Sequence, residues 1–598
     1  MNEKKIVILG AGISGLATAY WLNKKGFDVT ILEAQSQVGG AMQTSREDGF
    51  LIDFGPNSGL ETTPLIRQIV EEVGLSDEMI YASEISSKRY ILRNDKLHEL
   101  PMELAPFLKT KLFSVKGKLR LFGEPFIGKS ADGYYQSIAQ FVERRLGKEF
   151  LDYAIDPFVS GVFAGDPTKL SVKSAFPKLY RLEEIYGGLV KGMIKGARER
   201  KKRAEESKQS AKMFSFINGM QTFPKAIAKT LQGKITLECR VKSVERPPCH
   251  GQRVAGRTDK WQVKYEKNGQ ESNIDCDQII STVPAYIAAD IFGGLDAELS
   301  NHLNEIYYPP VMVLYVGFNK NDIGTPLDGF GFLIPSKEKK KFLGAIWSST
   351  IFPNRSSDDH AAFTLFVGGA RLPQLFAEEK DILIKNALSE FKSLMNIKVE
   401  PVILNSKIWQ KAIPQYNLGY IEHENYFDKF EKENPGIFLS GNYRGGISVG
   451  DCVKNSELVC KRIMENLEFR IENWFIAEKI ENYGNPVLEK SFSFGVRVVK
   501  FYSSKIKINY HYKDLFRQLL RSGTSIGDNI TEAQEAASKK DFINKLSIAL
   551  KEARETEYWL KLLSESSVIA EIEFNDLYNN CQELIRLLVS ILKKLREE

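Results

Sequence analysis

The chain has 598 residues, 43% hydrophobic and 26% charged, with a formal net charge of +6. That length exceeds one hydrophobic core and implies roughly two to four domains. So weak a positive balance does not point to a nucleic-acid partner held mainly by charge. The six cysteines (Cys239, Cys249, Cys276, Cys452, Cys460 and Cys581) include no CxxC pair, and the six histidines form no HExxH or HxH spacing. Neither a disulfide framework nor a metal site is implied, and a reducing, cytoplasmic setting is expected. No long uncharged run reads as a membrane span, so membrane contact would be peripheral.

The first elements form a β-α-β unit. "KIVIL" is a short buried strand, "ISGLATAYWLNKKG" a helix stopped at Gly26, and "DVTILE" a second strand ending at Glu33. Between strand and helix lie Gly10, Gly12 and Gly15 in a GxGxxG spacing. Gly10 permits the tight turn, Gly12 lets backbone approach a pyrophosphate, and Gly15 lets the helix pack on the sheet. Glu33 is placed to accept hydrogen bonds from a ribose diol. A second pair, Gly39-Gly40, follows too soon for another βα unit and resembles the extended fingerprint of FAD-dependent oxidases and desaturases. The cofactor stretch thus takes in Gly10, Ala11, Gly12, Ser14, Gly15, Glu33, Ala34, Gly39 and Gly40.

Later segments look like the returning pieces of the same discontinuous domain. "FSFINGMQTFPKAIAKTL" with "KITLECRVKSVE" reads as loop, helix and strand, and "CDQIISTVPAYIAADIF" as strand, turn and helix. Val241 falls where such enzymes set a backbone amide against the adenine. In "GIFLSGNYRGGISVGDCV", Gly441, Asn442, Ser448 and Val449 belong to a glycine-rich loop that opens a helix. The positive end of that helix would stabilise charge on a reduced flavin.

Over about residues 4–467 the sequence is similar to the protoporphyrinogen oxidases. The likeness rests on phrases such as "SKRYILRNDKLHELP", "FVERRLGKEFLDYAIDPFVSGVFAGDPTKLSVKSAFPKLYRLE", "GFGFLIPSKE", "GAIWSSTIFPNRS", "FVGGARLPQL", "WQKAIPQYNLGY" and "SGNYRGGISVGDC". It implies an α/β Rossmann-type FAD-binding domain in three pieces (1–92, 214–290 and 433–469). It further implies a helical membrane-associated region at 93–213, with a charged loop near 196–212, and a substrate domain with an antiparallel sheet at 291–432. The implied reaction is FAD-dependent oxidation of protoporphyrinogen IX by dioxygen, giving hydrogen peroxide. No side chain is assigned a catalytic role, because the flavin carries the chemistry. Arg89 would pair with a substrate propionate, a pairing suited to a guanidinium fork. Leu333, Ile346 and Phe366 would sandwich the pyrrole rings, although on pattern alone all three read as strand core. Asn57 would lie near the reacting carbon, and the Gly165 turn near the pocket wall. Coproporphyrinogen III, with four propionates, is the alternative substrate, and a flavin-binding scaffold without turnover is the alternative of another class. "APFLKTKLFSVKGKLRLFGEPFIGK" mixes lysines with phenylalanine and leucine, which suits either a face on the inner surface of the cell membrane or an amphipathic core helix.

After Ile471 the pattern changes to helix periodicity, with Leu515, Leu519 and Leu520, then Ile543, Leu546 and Leu550, then Leu584, Leu588 and Ile591. An all-α four-helix bundle over 470–598 is expected. "LLRSGTSIGDNITEAQEAASKKDF" and "KLSIALKEARETEYWLKLL" resemble the small bundle proteins encoded in ribosomal RNA intervening sequences. The roughly balanced charge of this tail favours homo-oligomer assembly over RNA binding. Its small residues Gly523, Ser525 and Gly527 suggest a seam for close helix approach.

Overall fold

The computed structural model describes residues 4–101, 103–193, 195, 211–246, 260–464, 486–506, 510–534, 536 and 539–597. The chain divides into two compact units, Met1–Met464 and Glu465–Glu598. Most of the charged loop expected near 196–212 lies outside the described residues, as does the segment joining the units.

The first unit is organised by two sheets. One is a five-stranded parallel sheet in the order Ile235–Thr236, Asp28–Leu32, Lys5–Leu9, Gln278–Ser281, Ile437–Leu439. Three segments far apart in sequence therefore meet in one layer, as the returning-domain reading expects. "KITLECRVKSVE" is not one strand. Ile235–Thr236 edges the parallel sheet, and Cys239–Glu245 begins a separate antiparallel sheet with Trp261–Lys267 and Gln270–Cys276. Glu238, at positive φ between them, turns the chain from one sheet to the other.

The second sheet has seven strands in the order Ile403–Trp409, Val311–Asn319, His360–Gly368, Phe342–Ile346, Gly331–Leu333, Tyr90–Arg93, Lys96–Glu99. The hairpin 90–99 pairs through Phe332↔Tyr90, so the boundary expected at 92/93 cuts a hairpin of the substrate sheet. One face carries Leu92, Met312, Leu314, Phe332, Ala345, Leu365 and Val367, packed on Leu383, Ala387 and Phe391 of the helix Lys380–Met395. Strand side chains alternate between faces, so the opposite face is presented to the rest of the first unit.

Short helices between Leu104 and Tyr186 form the helical region. Its centre is Arg145, fully buried, whose guanidinium bonds Glu124 and Glu183. Glu124 also accepts the backbone amides of Leu189 (2.7 Å) and Val190 (3.1 Å). Among the described residues no helix is long and apolar enough to cross a membrane.

The second unit is a bundle of Pro486–Ile506, Lys513–Gln534, Lys539–Glu565 and Glu571–Glu597, each packed on the next and the last on the first. Leu519, Ile526, Ala549, Leu560, Leu584 and Leu588 lie in its core. The small residues do allow close helix approach, and the neighbour they meet lies within the bundle. A Cβ on Gly523 would stand 2.9 Å from both Val498 methyls, and one on Gly527 would stand 3.4 Å from the Ser491 carbonyl oxygen. Both glycines therefore serve contact between the first two helices within the bundle.

Arg145→Met is expected to lower the stability of the first unit by about 3–5 kcal/mol, because Glu124 and Glu183 would stay buried without their cation. Urea unfolding of the full chain, followed by circular dichroism, checks this: the first unit's transition should move to lower urea and the bundle's should not.

Candidate active site

The glycine cradle is built by local sterics. Gly10 has φ +97° and donates its N–H to the Leu32 carbonyl at 2.8 Å, which turns the chain off the first strand. A side chain on Gly15 would collide with the Gly10 carbonyl oxygen and stand 2.7 Å from Thr282 Oγ1. Gly12 differs: a Cβ there would meet nothing within 4 Å. It is the N-cap of the helix Ile13–Lys24, whose first turn has neither a side-chain cap nor an acidic residue. Open space in front of uncapped helix amides suits a pyrophosphate. The second pair backs the first, because Gly39 donates to the Ala11 carbonyl at 2.9 Å and Gly40 lies against Gly12.

Glu33 is buried and accepts the amides of Ala11 (2.6 Å) and Gln35 (2.9 Å). Each carboxylate oxygen has a second lone pair for a ribose hydroxyl. Ala34 beside it is exposed. The Cys239 amide donates to the Glu33 carbonyl at 2.8 Å, so the strand bearing half-buried Val241 starts next to the ribose position. Ser14 is buried, and its carbonyl accepts from Ser456 Oγ at 2.9 Å, which ties the first helix to the last helix of the unit, 449–464.

That last helix follows the loop 441–448, in which Gly441, Gly445 and Gly446 all have positive φ. Tyr416 shapes the loop by donating its hydroxyl to the Asn442 carbonyl (2.8 Å) and accepting the Gly446 amide (3.0 Å). Arg444 bonds Glu431 and Asp428 and anchors the loop from behind. Ser448 Oγ caps the helix by accepting the Asp451 amide at 3.1 Å and donates to the Asp451 carboxylate at 2.6 Å. The Ser448 hydroxyl is therefore turned into its own helix, while Val449 is buried beside it.

The predicted substrate residues converge on the seven-stranded sheet. Leu333 pairs with Gly344 and Gly344 with Phe366, so Leu333 and Phe366 sit in one row, two strands apart. Ile346 lies two residues beyond Gly344 and pairs with Thr364, so it shares their face. It is the face opposite the helix Lys380–Met395. Leu333 and Ile346 are the only residues of their strands that are not buried, and Phe366 is half-buried in an otherwise largely buried strand. Gly161 admits the Leu333 side chain, which a Cβ there would meet at 2.7 Å. Phe366 packs near Ala164, which has φ +48° and immediately precedes buried Gly165. A Cβ on Gly165 would stand 2.7 Å from Gln415, the neighbour of Tyr416. The pocket wall is thus joined to the loop 441–448.

Asn57 connects the cradle to this face. After Gly40 the chain makes the hairpin Thr44–Glu47 and Phe50–Asp53 and returns with Gly55 pressed on the Ala41 carbonyl. Asn57 Nδ2 then donates to Thr364 Oγ1 at 3.4 Å. A cavity here is lined by Asp53, Asn57, Tyr315, Phe330, Ile346 and Arg355 among others. Arg89 is exposed, with its guanidinium 5.6 Å from the centroid of the Phe330 ring. Among the described residues Arg89 has no ion-pair partner, whereas Lys88 pairs with Asp328, Arg93 with Glu149, Arg355 with Asp53 and Arg371 with Asp156.

Two cations escaped the sequence reading. Arg355 is buried, donates to Ser215 Oγ at 2.6 Å, and lies 3.7 Å from Asp53. Burial pushes the Asp53 carboxyl up against the opposing pull of Arg355, and burial also pushes the guanidinium down. Lys407, opposite Val313 in the sheet, donates to Gln43, whose Nε2 bonds the Gly40 carbonyl at 3.0 Å. Burial holds its amine below the ordinary lysine value. Each of these links joins residues far apart in sequence, and no local pattern marks them.

The comparisons agree with this geometry. Residues 13–464 match the family described as flavin containing amine oxidoreductase, and residues 485–590 match the 23S rRNA-intervening sequence protein family. The chain is 34% identical over 491 residues to protoporphyrinogen oxidase 2, chloroplastic/mitochondrial, of Arabidopsis thaliana, covering 78% of this chain and 95% of that protein. It is 28% identical over 467 residues to coproporphyrinogen III oxidase of Bacillus subtilis, covering 76% and 96%. A solved structure of a provisionally named protoporphyrinogen oxidase from Exiguobacterium shares the fold at a TM-score of 0.63 and 22% identity, covering 77% of this chain and all but 1% of that one. The open, uncapped cradle at Gly12 and the buried Glu33 fit FAD, the cofactor of this family. Residues 13–464 place the chain in the flavin-containing amine oxidoreductase family, among relatives that include protoporphyrinogen and coproporphyrinogen oxidases, and residues 485–590 of its tail match the 23S rRNA-intervening sequence protein family.

Proposed function

We propose that the first unit oxidises protoporphyrinogen IX to protoporphyrin IX, with dioxygen as acceptor and hydrogen peroxide as co-product. The observation that carries this reading is the sheet face itself. Leu333, Ile346 and Phe366 keep exposed apolar surface on one side, and Arg89 stands near it as a cation without a carboxylate partner. A flat, apolar macrocycle with carboxylate arms matches that pattern. Bound FAD supplies the electron acceptor, taking hydride-equivalent pairs and passing them to dioxygen. The chain's own residues bind, orient and exclude water. Leu333, Ile346 and Phe366 hold the ring system and desolvate it. Arg89 fixes a propionate through its two-pronged donor geometry. Asn57, anchored on Thr364, stands between substrate face and cofactor cradle. Each two-electron step also releases a proton, to which no side chain is assigned.

Among the described residues few cations near the face lack an acid partner, Arg89 and Lys407 among them, which suits two propionates better than four, since the other arginines here and Lys88 are paired with acids. Coproporphyrinogen III remains the second reading, supported by the likeness to the Bacillus subtilis and Staphylococcus aureus enzymes. Arg89→Ala is expected to lower kcat/KM for protoporphyrinogen by about 10–100-fold, the worth of a charge-assisted hydrogen bond, mostly through KM. Steady-state porphyrin fluorescence with both porphyrinogens checks this. Unchanged kinetics for Arg89→Ala, or faster turnover of coproporphyrinogen by the unmodified protein, would contradict the assignment.

The helical region is proposed to rest on the inner surface of the cell membrane. Its helix Val115–Phe122 has no buried residue, which favours a surface role over an amphipathic core helix. Val115 (74% exposed), Leu119, Phe122 and Phe126 (91%) project beside exposed Lys109, Lys111 and Lys116. Apolar side chains among lysines suit an anionic bilayer interface. Co-sedimentation with vesicles containing phosphatidylglycerol should be lost in Leu119→Glu/Phe126→Glu; equal binding by that variant would refute the patch.

For the bundle, assembly of enzyme copies is proposed over RNA binding. Its surface cations are widely matched by acids, as in Lys490–Glu583, Arg497–Asp576, Lys505–Glu573 and Lys545–Glu532, which leaves little bare positive field for phosphates. Exposed Phe492 and Tyr558 offer apolar contact points. Sedimentation velocity of the full chain should show an oligomer that dissociates in Phe492→Ser/Tyr558→Ser; a monomer at micromolar concentration would oppose this reading.

A further inference from the structure

Two histidines that stand 121 residues apart in sequence meet in the fold. His302 lies near the end of the helix Ala297–Asn304, and His423 in the first turn of the helix Tyr420–Glu433. Their Nδ1 atoms are 2.9 Å apart. Glu305, one residue past the first helix, brings a carboxylate oxygen to 4.0 Å from His423 Nδ1. One ligand atom from each of the three residues lies within 4.8 Å of the others. The two rings are also held in place. His302 stacks on Tyr426 at a 4.5 Å centroid distance, and His423 meets Tyr420 edge-on at 5.6 Å.

We propose that His302, His423 and Glu305 form a site for a divalent transition-metal ion, zinc before others, with solvent completing the coordination. The chemistry of the set supports this. Two imidazole nitrogens and one carboxylate are a recurring three-ligand group for zinc, which leaves a fourth position open. Zinc–nitrogen bonds of about 2.0–2.1 Å at tetrahedral angles need nitrogens about 3.3 Å apart. The pair opens by a few tenths of an ångström to reach that spacing. Without metal, one Nδ1 must donate a proton to the other. With metal, that ring moves its proton to Nε2 and both Nδ1 lone pairs face the ion, so the rings bind as neutral ligands.

The position gives the site a mechanical consequence. It would clamp two helices that are held side by side by packing. The second of them places Tyr420, whose hydroxyl bonds the Tyr443 carbonyl in the loop 441–448. A metal at His423 therefore sits one helical turn from the anchor of the loop assigned to the cofactor. The site lies apart from the substrate face and does not depend on which porphyrinogen is oxidised.

The test uses the full chain, stripped of metal and titrated with zinc against a chromophoric chelator. One zinc per chain is expected, with a dissociation constant tighter than about 10 µM. His302→Gln and His423→Asn, chosen to keep polar side chains of moderate size, should each weaken it at least tenfold, and Glu305→Gln should weaken it less. Circular dichroism and flavin content of the metal-free variants establish that they are folded. X-ray absorption of the zinc-loaded chain should show imidazole nitrogens in the coordination shell. Absence of binding below about 100 µM, or stoichiometric binding that survives in both histidine variants, overturns the proposal. In the latter case the zinc belongs to other side chains, such as His360 or His98.

Discussion

The constraint on which the first unit depends is the two-sidedness of its seven-stranded sheet. One face is closed by the helix Lys380–Met395 through a continuous apolar layer. The other face is apolar as well, so it must also be covered. The helical region covers its edge at Ile91 and Leu333, and the hairpin 44–53 covers Tyr315 through Phe50. Between these covers Leu333, Ile346 and Phe366 keep exposed surface, and there the sheet can accept a flat ligand. The five-stranded sheet and its cradle are then set against this gap by chain connectivity, since Asn57 follows the hairpin that leaves Gly40.

Charge is arranged around the same gap by neutralisation. Arg371, Arg355 and Arg93 are each paired with an acid, and the buried Arg145 is shared by two. These pairs are structural, because breaking a buried pair leaves an uncompensated charge. Arg89 is exposed beside Phe330 and unpaired among the described residues, so its guanidinium is available to a ligand carboxylate. Lys407 adds a further positive group on the sheet face, directed at Gln43 and the cradle.

How much of this was legible in the sequence varied with the range of the interaction. The cradle was readable because Gly10, Gly12, Gly15 and Glu33 act within one β-α-β unit whose sterics are local. Val241 was expected to set a backbone amide against the adenine; its strand starts beside Glu33, but the turn at Glu238 that moves it to a separate sheet was not foreseen. Leu333, Ile346 and Phe366 could not be told from core by pattern, because their strands are apolar on both faces and show no alternation. Register alone separates the faces. Gly523 and Gly527 were read as allowing close helix approach, yet a helix stripe of small residues does not say which neighbour it meets. Arg355, Lys407 and the His302–His423 pair join segments more than a hundred residues from their partners, and no spacing rule reaches that far.

The most direct test of the central claim is anaerobic mixing of the FAD-loaded protein with protoporphyrinogen IX, followed by admission of oxygen. The account predicts loss of the oxidised-flavin absorbance on mixing, then its return with porphyrin fluorescence once oxygen enters. A flavin absorbance that stays oxidised in the presence of substrate would contradict it.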